Sequence, residues 1–218
     1  DVGKDQTYFL NQLSQNQLAD VLFPLANLQK EEVRRIASQY GLATAEKKDS
    51  TGICFIGERN FKNFLKTYLP GQPGDIVDTE GNKVGRHDGL MYYTLGQRRG
   101  IGLGGTVDSQ ERWFVVEKDL KNNRLIVSHG DQSVLMSKAL VSNAVNWIPE
   151  KPSQNHFECF AKFRYRQPDQ KVTVDIREDG KVYVTFAEPQ RAVTEGQFVV
   201  FYNDTDCLGG GIIDTVVK

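Results

Sequence analysis

The hydrophobic period of this chain changes at Gly74, and that change limits the architectures open to it. Before this point apolar residues recur at intervals of three and four. After Asn27, Val33, Ile36, Ala37 and Tyr40 lie on one helical stripe, with Glu31 and Glu32 early and Gly41 as the stop. A second helix is expected after Asn60, where Phe61, Phe64, Leu65 and Tyr68 align before Pro70-Gly71 ends the run. Both stripes read as core faces. From Gly74 onward the period is two, and turn residues punctuate the sequence at Glu80-Gly81-Asn82, Asn122-Asn123, Asp179-Gly180 and Asn203-Asp204.

Trp113 to Glu117 and Arg124 to Val127 read as a hairpin around Lys118 to Asn123. Phe157, Cys159, Ala161 and Phe163 alternate against Glu158, Lys162 and Arg164, with Phe160 breaking the polar face. Val172 to Ile176, Val182 to Phe186, Phe198 to Tyr202 and Gly211 to Val216 follow, enough strands to close a small antiparallel barrel. The expected fold class is α+β in three parts: a helical segment over 1–63, a small β-rich central domain over 64–136, and a C-terminal antiparallel barrel over 137–218.

Composition excludes several classes of function. Lys and Arg number 27 against 28 Asp and Glu, a net charge of -1, so any nucleic-acid site has to be a local basic patch. No apolar run approaches the roughly 20 residues of a membrane-spanning helix. The opening Asp1-Val2-Gly3-Lys4-Asp5-Gln6 has neither methionine nor a signal-peptide pattern, which suggests that the chain starts partway through a longer protein. Three widely spaced cysteines, Cys54, Cys159 and Cys207, argue against a disulfide framework and for a reducing cytoplasm.

Three local features carry chemical content. Cys54 follows Gly52 closely, with cationic Lys47, Lys48 and Arg59 nearby in the chain; such a thiol is either a reactive thiolate below the free pKa of about 8.5 or a small buried hydrophobe beside Ile53 and Phe55. Gly100-Ile101-Gly102-Leu103-Gly104-Gly105 satisfies G-x-G-x-x-G but lacks the strand, helix and acidic residue of a dinucleotide site. Gln97, Arg98 and Arg99 before it, with Arg86 and His87 upstream, suit either phosphate contact or a solvated loop. Lys162, Arg164 and Arg166 fall on one face of a continuing strand, where Tyr165 either stacks on an unpaired base or packs inward. His87, His129 and His156 are far apart in expected loops, and no metal site is expected.

Longer motifs then fall in one order: Lys4-Asp5-Gln6-Thr7-Tyr8-Phe9-Leu10, Asp49-Ser50-Thr51-Gly52-Ile53-Cys54-Phe55-Ile56-Gly57, Gly85-Arg86-His87-Asp88-Gly89, Tyr93-Thr94-Leu95-Gly96-Gln97-Arg98-Arg99-Gly100, Arg164-Tyr165-Arg166-Gln167, Gly196-Gln197 and Leu208-Gly209-Gly210-Gly211-Ile212-Ile213. In these the chain resembles the bacterial tRNA-specific 2-thiouridylases over nearly its whole length. The resemblance implies an enzyme that adenylates the C2 oxygen of the anticodon wobble uridine with ATP and replaces it with sulfur. It implies that Cys54 is catalytic and carries the sulfur as a persulfide received from a sulfur-carrier protein. It implies tRNA contacts at Lys4, Asp5, Gln6, Arg164, Tyr165 and Gln197.

The resemblance also identifies residues 1–63 as the helical remnant of an α/β nucleotide-binding domain. In the family a second cysteine of that domain acts as nucleophile, or releases sulfide by forming a disulfide with the persulfide cysteine. Neither Cys159 nor Cys207 matches its motif, and both are taken as structural. The S-G-G-x-D-S loop that cradles ATP does not occur here, so ATP with Mg is expected to serve only the full-length enzyme, and this stretch alone is expected to be inactive. The contrasting expectation is a non-catalytic RNA-binding module with a structural Cys54.

Overall fold

The computed structural model describes residues 1–48, 61–104, 111–204 and 206–218, so Cys54 lies outside the described residues. Three α-helices occur among them, α1 (Gln15–Leu18), α2 (Lys30–Gln39) and α3 (Phe61–Tyr68), followed by eleven strands. These residues gather into two units, one drawn from residues 58–140, 186–195 and 215–218, the other from 1–57, 141–185 and 196–214. The expected α+β class, with a closed C-terminal barrel and a separate sheet, is what the chain adopts.

The first of these units is built on β1 (Gly74–Asp78), β2 (Lys83–His87), β3 (Trp113–Asp119) and β4 (Arg124–His129), in the order β2-β1-β4-β3. The hairpin expected around Lys118 to Asn123 is β3–β4, closed with Asn123 at φ 52, a left-handed conformation that asparagine tolerates. β1 pairs with β4 in parallel, which alternation alone does not specify. Ile76, Val115, Leu125 and Val127 are fully buried on one face, and Leu90, Tyr93 and Ile101 complete that core. Residues 100–103 of the glycine-rich run thus serve packing: Ile101 is buried, Leu103 packs beside it, and Gly100 and Gly102 take positive φ to turn the chain there.

The remaining strands are β5 (Met136–Ser142), β6 (Asn146–Trp147), β7 (His156–Lys162), β8 (Gln170–Ile176), β9 (Val182–Arg191), β10 (Phe198–Asn203) and β11 (Asp206–Val217). Their order is β10-β7-β8-β9-β5-β11-β6, and β10 pairs with β11 to close an antiparallel barrel with β6 attached. Closure removes the open edges that six such strands would otherwise expose. β5 escaped the alternation rule because its polar residues are inside: Ser137 and Ser142 are buried, donating to the carbonyls of Gln190 and Ile212 at 3.0 Å each. A hydroxyl with a carbonyl acceptor is tolerated in a core.

Several local expectations need correction. The α2 stripe is no closed core, since Val33, Ile36 and Ala37 are only half-buried and Tyr40 is 77% exposed. The strand expected to run through Arg166 stops at Lys162. Phe163 N donates to Gln167 Oε1 at 3.0 Å and Gln167 N to Arg164 O at 3.1 Å, turning the chain ahead of Pro168. Arg164, Tyr165 and Arg166 therefore occupy a turn, not a strand face. The histidines terminate or open strands instead of lying in loops; His87 is buried because Asn123 O and Gly89 N–H satisfy both ring nitrogens at 3.1 Å.

Candidate nucleic-acid interface

Strand β10 explains how the amino-terminal residues are held on the barrel. It reads as an unbroken apolar run, Phe198-Val199-Val200-Phe201-Tyr202, and both of its faces are covered. Val199 and Phe201 point into the barrel, where Phe201 stacks on Trp147 at 5.5 Å between centroids. Val200 and Tyr202 face outward and are buried by Tyr8. The Tyr8 hydroxyl donates to Phe198 O at 2.9 Å, so a buried phenol keeps its hydrogen bond.

The next residues tighten this attachment. Asn146 Nδ2 donates to the carbonyls of Asn11 and Leu13 at 2.9 and 3.0 Å, and Gln12 Nε2 donates to Gly210 O at 2.8 Å. The approach needs glycine, because a Cβ at Gly210 would fall 2.6 Å from Asn11 Oδ1. The turn Thr7–Leu10 is fixed at its start by Asp5, whose carboxylate accepts from Thr7 N at 2.9 Å and Thr7 Oγ1 at 3.1 Å. Helix α2 is held nearby: Asp1 Oδ2 accepts from Lys30 N at 2.9 Å, satisfying an orphan donor that Gln29 leaves uncapped.

Between these elements lies a cleft of about 1160 Å³, lined by residues of one unit. Among the described residues every charged side chain lining it is a cation: Lys4, Lys30, Arg34, Lys47, Lys48 and Arg166. Lys30, Val33, Arg34 and Ala37 come from one face of α2, and the Arg34 guanidinium donates to the carbonyls of Ala45 and Lys47 at 3.5 and 3.1 Å, fixing the segment that carries Lys47 and Lys48. Phe9 and Tyr165 also line the cleft, with ring centroids 4.6 Å apart, and Arg166 stands 5.8 Å from the Tyr165 ring centroid. Cations beside aromatic rings suit a polyanion that also carries flat bases.

Of the residues marked by sequence, Lys4, Gln6 and Tyr165 line this one cleft, and Asp5 and Arg164 adjoin them in the chain. Arg164 is exposed and its charge acts on the Tyr8 phenol. Gln197 lies apart from the lining, exposed on the turn before β10, with its carbonyl accepting from Ile213 N at 2.8 Å. Sequence reasoning missed Phe9, Lys30 and Arg34. The spacing of 30, 33, 34 and 37 marks a single helical face and was available as a signal.

Burial disfavours the thiolate form of both described cysteines. Burial pushes Cys159 up to about 12 and also raises Cys207. Both are free cysteines within the barrel. Among the described residues no group of three His, Cys, Asp or Glu side chains is arranged to hold a metal ion, and no helix is long and apolar enough to cross a membrane.

Family models match in succession: a tRNA methyl transferase HUP domain over residues 1–58, a tRNA methyl transferase PRC-barrel domain over 62–129, and an aminomethyltransferase beta-barrel domain over 137–213. That succession defines the class, a three-part chain ending in a β-barrel. Among curated relatives, the tRNA-specific 2-thiouridylase MnmA of Halalkalibacterium halodurans is 61% identical over the whole chain. Those of Listeria innocua and Streptococcus pyogenes are each 59% identical. The chain belongs to the bacterial tRNA-specific 2-thiouridylase family. It spans 58 to 59% of the length of these relatives while they cover all of it.

Proposed function

We propose that this chain holds tRNA and relays sulfur within an enzyme that 2-thiolates the wobble uridine of the anticodon. The observation that carries the reading is the cleft, whose charged lining among the described residues is cationic on a chain of net charge -1. Cations collected against the global balance mark a polyanion site, and aromatic rings beside them favour RNA. Lys4, Gln6 and Tyr165 contact the tRNA backbone and bases there, and Arg164 contacts the tRNA beside Tyr165. Asp5 contacts the tRNA between Lys4 and Gln6 while fixing the start of the turn Thr7–Leu10, and Gln197 touches the tRNA from the turn before β10. Residues 1–63, 64–136 and 137–218 form the remnant of the nucleotide-binding domain, the central domain and the barrel.

Cys54 is the sulfur carrier in this reading. Its thiolate attacks the outer sulfur of a persulfide on a donor protein; a new S–S bond forms at Cys54, the donor S–S bond breaks, and the donor leaves as a thiolate. In the family the second cysteine then pairs with Cys54 as a disulfide, freeing the outer sulfur as sulfide for C2, and a thiol reductant restores the pair. Cys159 and Cys207 are unsuited to that second role, because burial keeps both protonated near neutral pH. ATP with Mg would make the C2 oxygen a leaving group. The S-G-G-x-D-S loop for it has no counterpart in this sequence, and that activation is assigned to no residue here.

The test uses the full-length protein with a ³⁵S-labelled persulfide donor and a tRNA transcript. Cys54→Ser is expected to abolish labelling of the protein and of tRNA while leaving tRNA affinity unchanged, and Cys159→Ser is expected to retain labelling. Undiminished labelling of Cys54→Ser would overturn the relay.

A further inference from the structure

Tyr8 and Phe9 are adjacent on one turn yet meet opposite environments. Tyr8 is 6% exposed and pinned to β10, whereas Phe9 is 59% exposed and lines the cationic cleft. Exposure alone would not single it out, but here the open ring stands in the wall of a cleft lined by cations, where a flat ligand face can lie against it. The ring is also rigidly backed. Tyr8 meets it edge-on at 5.4 Å and 89°, and Tyr165 lies against it at 4.6 Å and 45°. Tyr165 is half-buried in this cluster, which leaves Phe9 as the ring more open to the cleft.

We infer that Phe9 is the platform on which an unpaired base of the bound RNA stacks, with Tyr8 and Tyr165 holding it in position. The inference rests on the reading of the cleft as a tRNA site and adds to it the residue that takes a base. Phosphates on either side of that base meet the cations that line the same cleft, Lys4, Lys30, Arg34, Lys47 and Arg166. Stacking is sequence-tolerant, since every base has a π-face, so Phe9 supplies affinity and placement without reading identity. An apolar partner protein is the competing occupant. The cations lining the same cleft disfavour it, because an apolar surface docked there would strip water from charged groups and offer them no counter-charge.

The experiment compares Phe9→Ala, Phe9→Leu and Phe9→Trp in the full-length protein, measuring affinity for an unmodified tRNA transcript across a salt series. Phe9→Ala is expected to weaken binding roughly five- to one-hundred-fold, as loss of one stacked base requires. The slope of log K against log salt stays unchanged, because no phosphate contact is removed. Phe9→Trp restores affinity and its added fluorescence is quenched by tRNA, whereas Phe9→Leu, which keeps bulk without a π-face, does not restore it. Affinity of Phe9→Ala within twofold of the unaltered protein would overturn the inference. So would full rescue by leucine, which marks an apolar contact, and that comparison stands even if the alanine variant folds poorly. Lys4→Ala separates the two levels: a reduced slope there with a neutral Phe9→Ala refutes only the stacking, and no effect of either refutes the cleft as well.

Discussion

Tyr8 and Phe198 are 190 positions apart in sequence and joined by a 2.9 Å hydrogen bond from the Tyr8 hydroxyl to the Phe198 carbonyl. This bond fixes the turn carrying Phe9, together with the preceding Lys4 and Gln6, on the barrel. Tyr8→Phe keeps the ring against Val200 and Tyr202 and removes only the bond. It is expected to cost about 1 kcal/mol in chemical denaturation. No measurable loss would mean that ring packing alone anchors the turn.

Gly210 makes the second anchor possible. A Cβ there would meet Asn11 Oδ1 at 2.6 Å and Val199 O at 2.7 Å. Gly210→Ala is expected to lose about 1–3 kcal/mol through overpacking, read as a lowered Tm. Gly209→Ala is expected to lose more, since Gly209 has φ +117 and its Cβ would overlap Asn146 O. An unchanged Tm for both would show that this contact does not constrain the barrel.

Cys159 gives a pH dependence with a definite sign. Its folded pKa is pushed up by burial to about 12 from an ordinary 9.0, so the unfolded chain loses this proton first as pH rises. The stabilising contribution is complete below about pH 9 and is lost progressively up to about pH 12, by about 1.4 kcal/mol per pH unit. Cys159→Ala is therefore expected to flatten the alkaline decline of stability by about one proton, measured between pH 9 and 10.5. An equal slope in the variant would contradict the buried, protonated thiol.

Arg164 and Arg191 provide a matched contrast. Arg191 is engaged structurally: its Nε donates to Gln132 Oε1 at 2.7 Å, its Nη2 to Gly96 O at 3.3 Å, and its guanidinium lies 5.4 Å from the Phe114 ring centroid. Arg164→Ala is expected to reduce the salt slope of tRNA binding by about one unit, as loss of one phosphate contact does. Arg191→Ala is expected to lower Tm without changing that slope. A shared response would remove the distinction.

The strand pattern and barrel closure were legible because alternation follows directly from burial on one side, as in Cys159, Ala161 and Phe163. Legibility failed where another element intervened. β10 lost its alternation to Tyr8 on its outer face, and β5 concealed itself because buried Ser137 and Ser142 look like surface residues until their carbonyl partners are known. Lys4, Gln6 and Tyr165, singled out by motif, all line the cleft. Phe9 was hidden because adjacent aromatic residues on a turn cannot reveal by themselves which one faces the interior.

The most direct measurement is the salt dependence of tRNA affinity for the full-length protein bearing Lys4→Ala, Lys47→Ala and Arg166→Ala together. If the cationic cleft holds the RNA backbone, the slope of log K against log salt falls by about two to three units, at about 0.7–0.9 per lost phosphate contact. A slope equal to that of the unaltered protein, in a variant with an unchanged melting profile, would contradict the cleft as the site of tRNA binding.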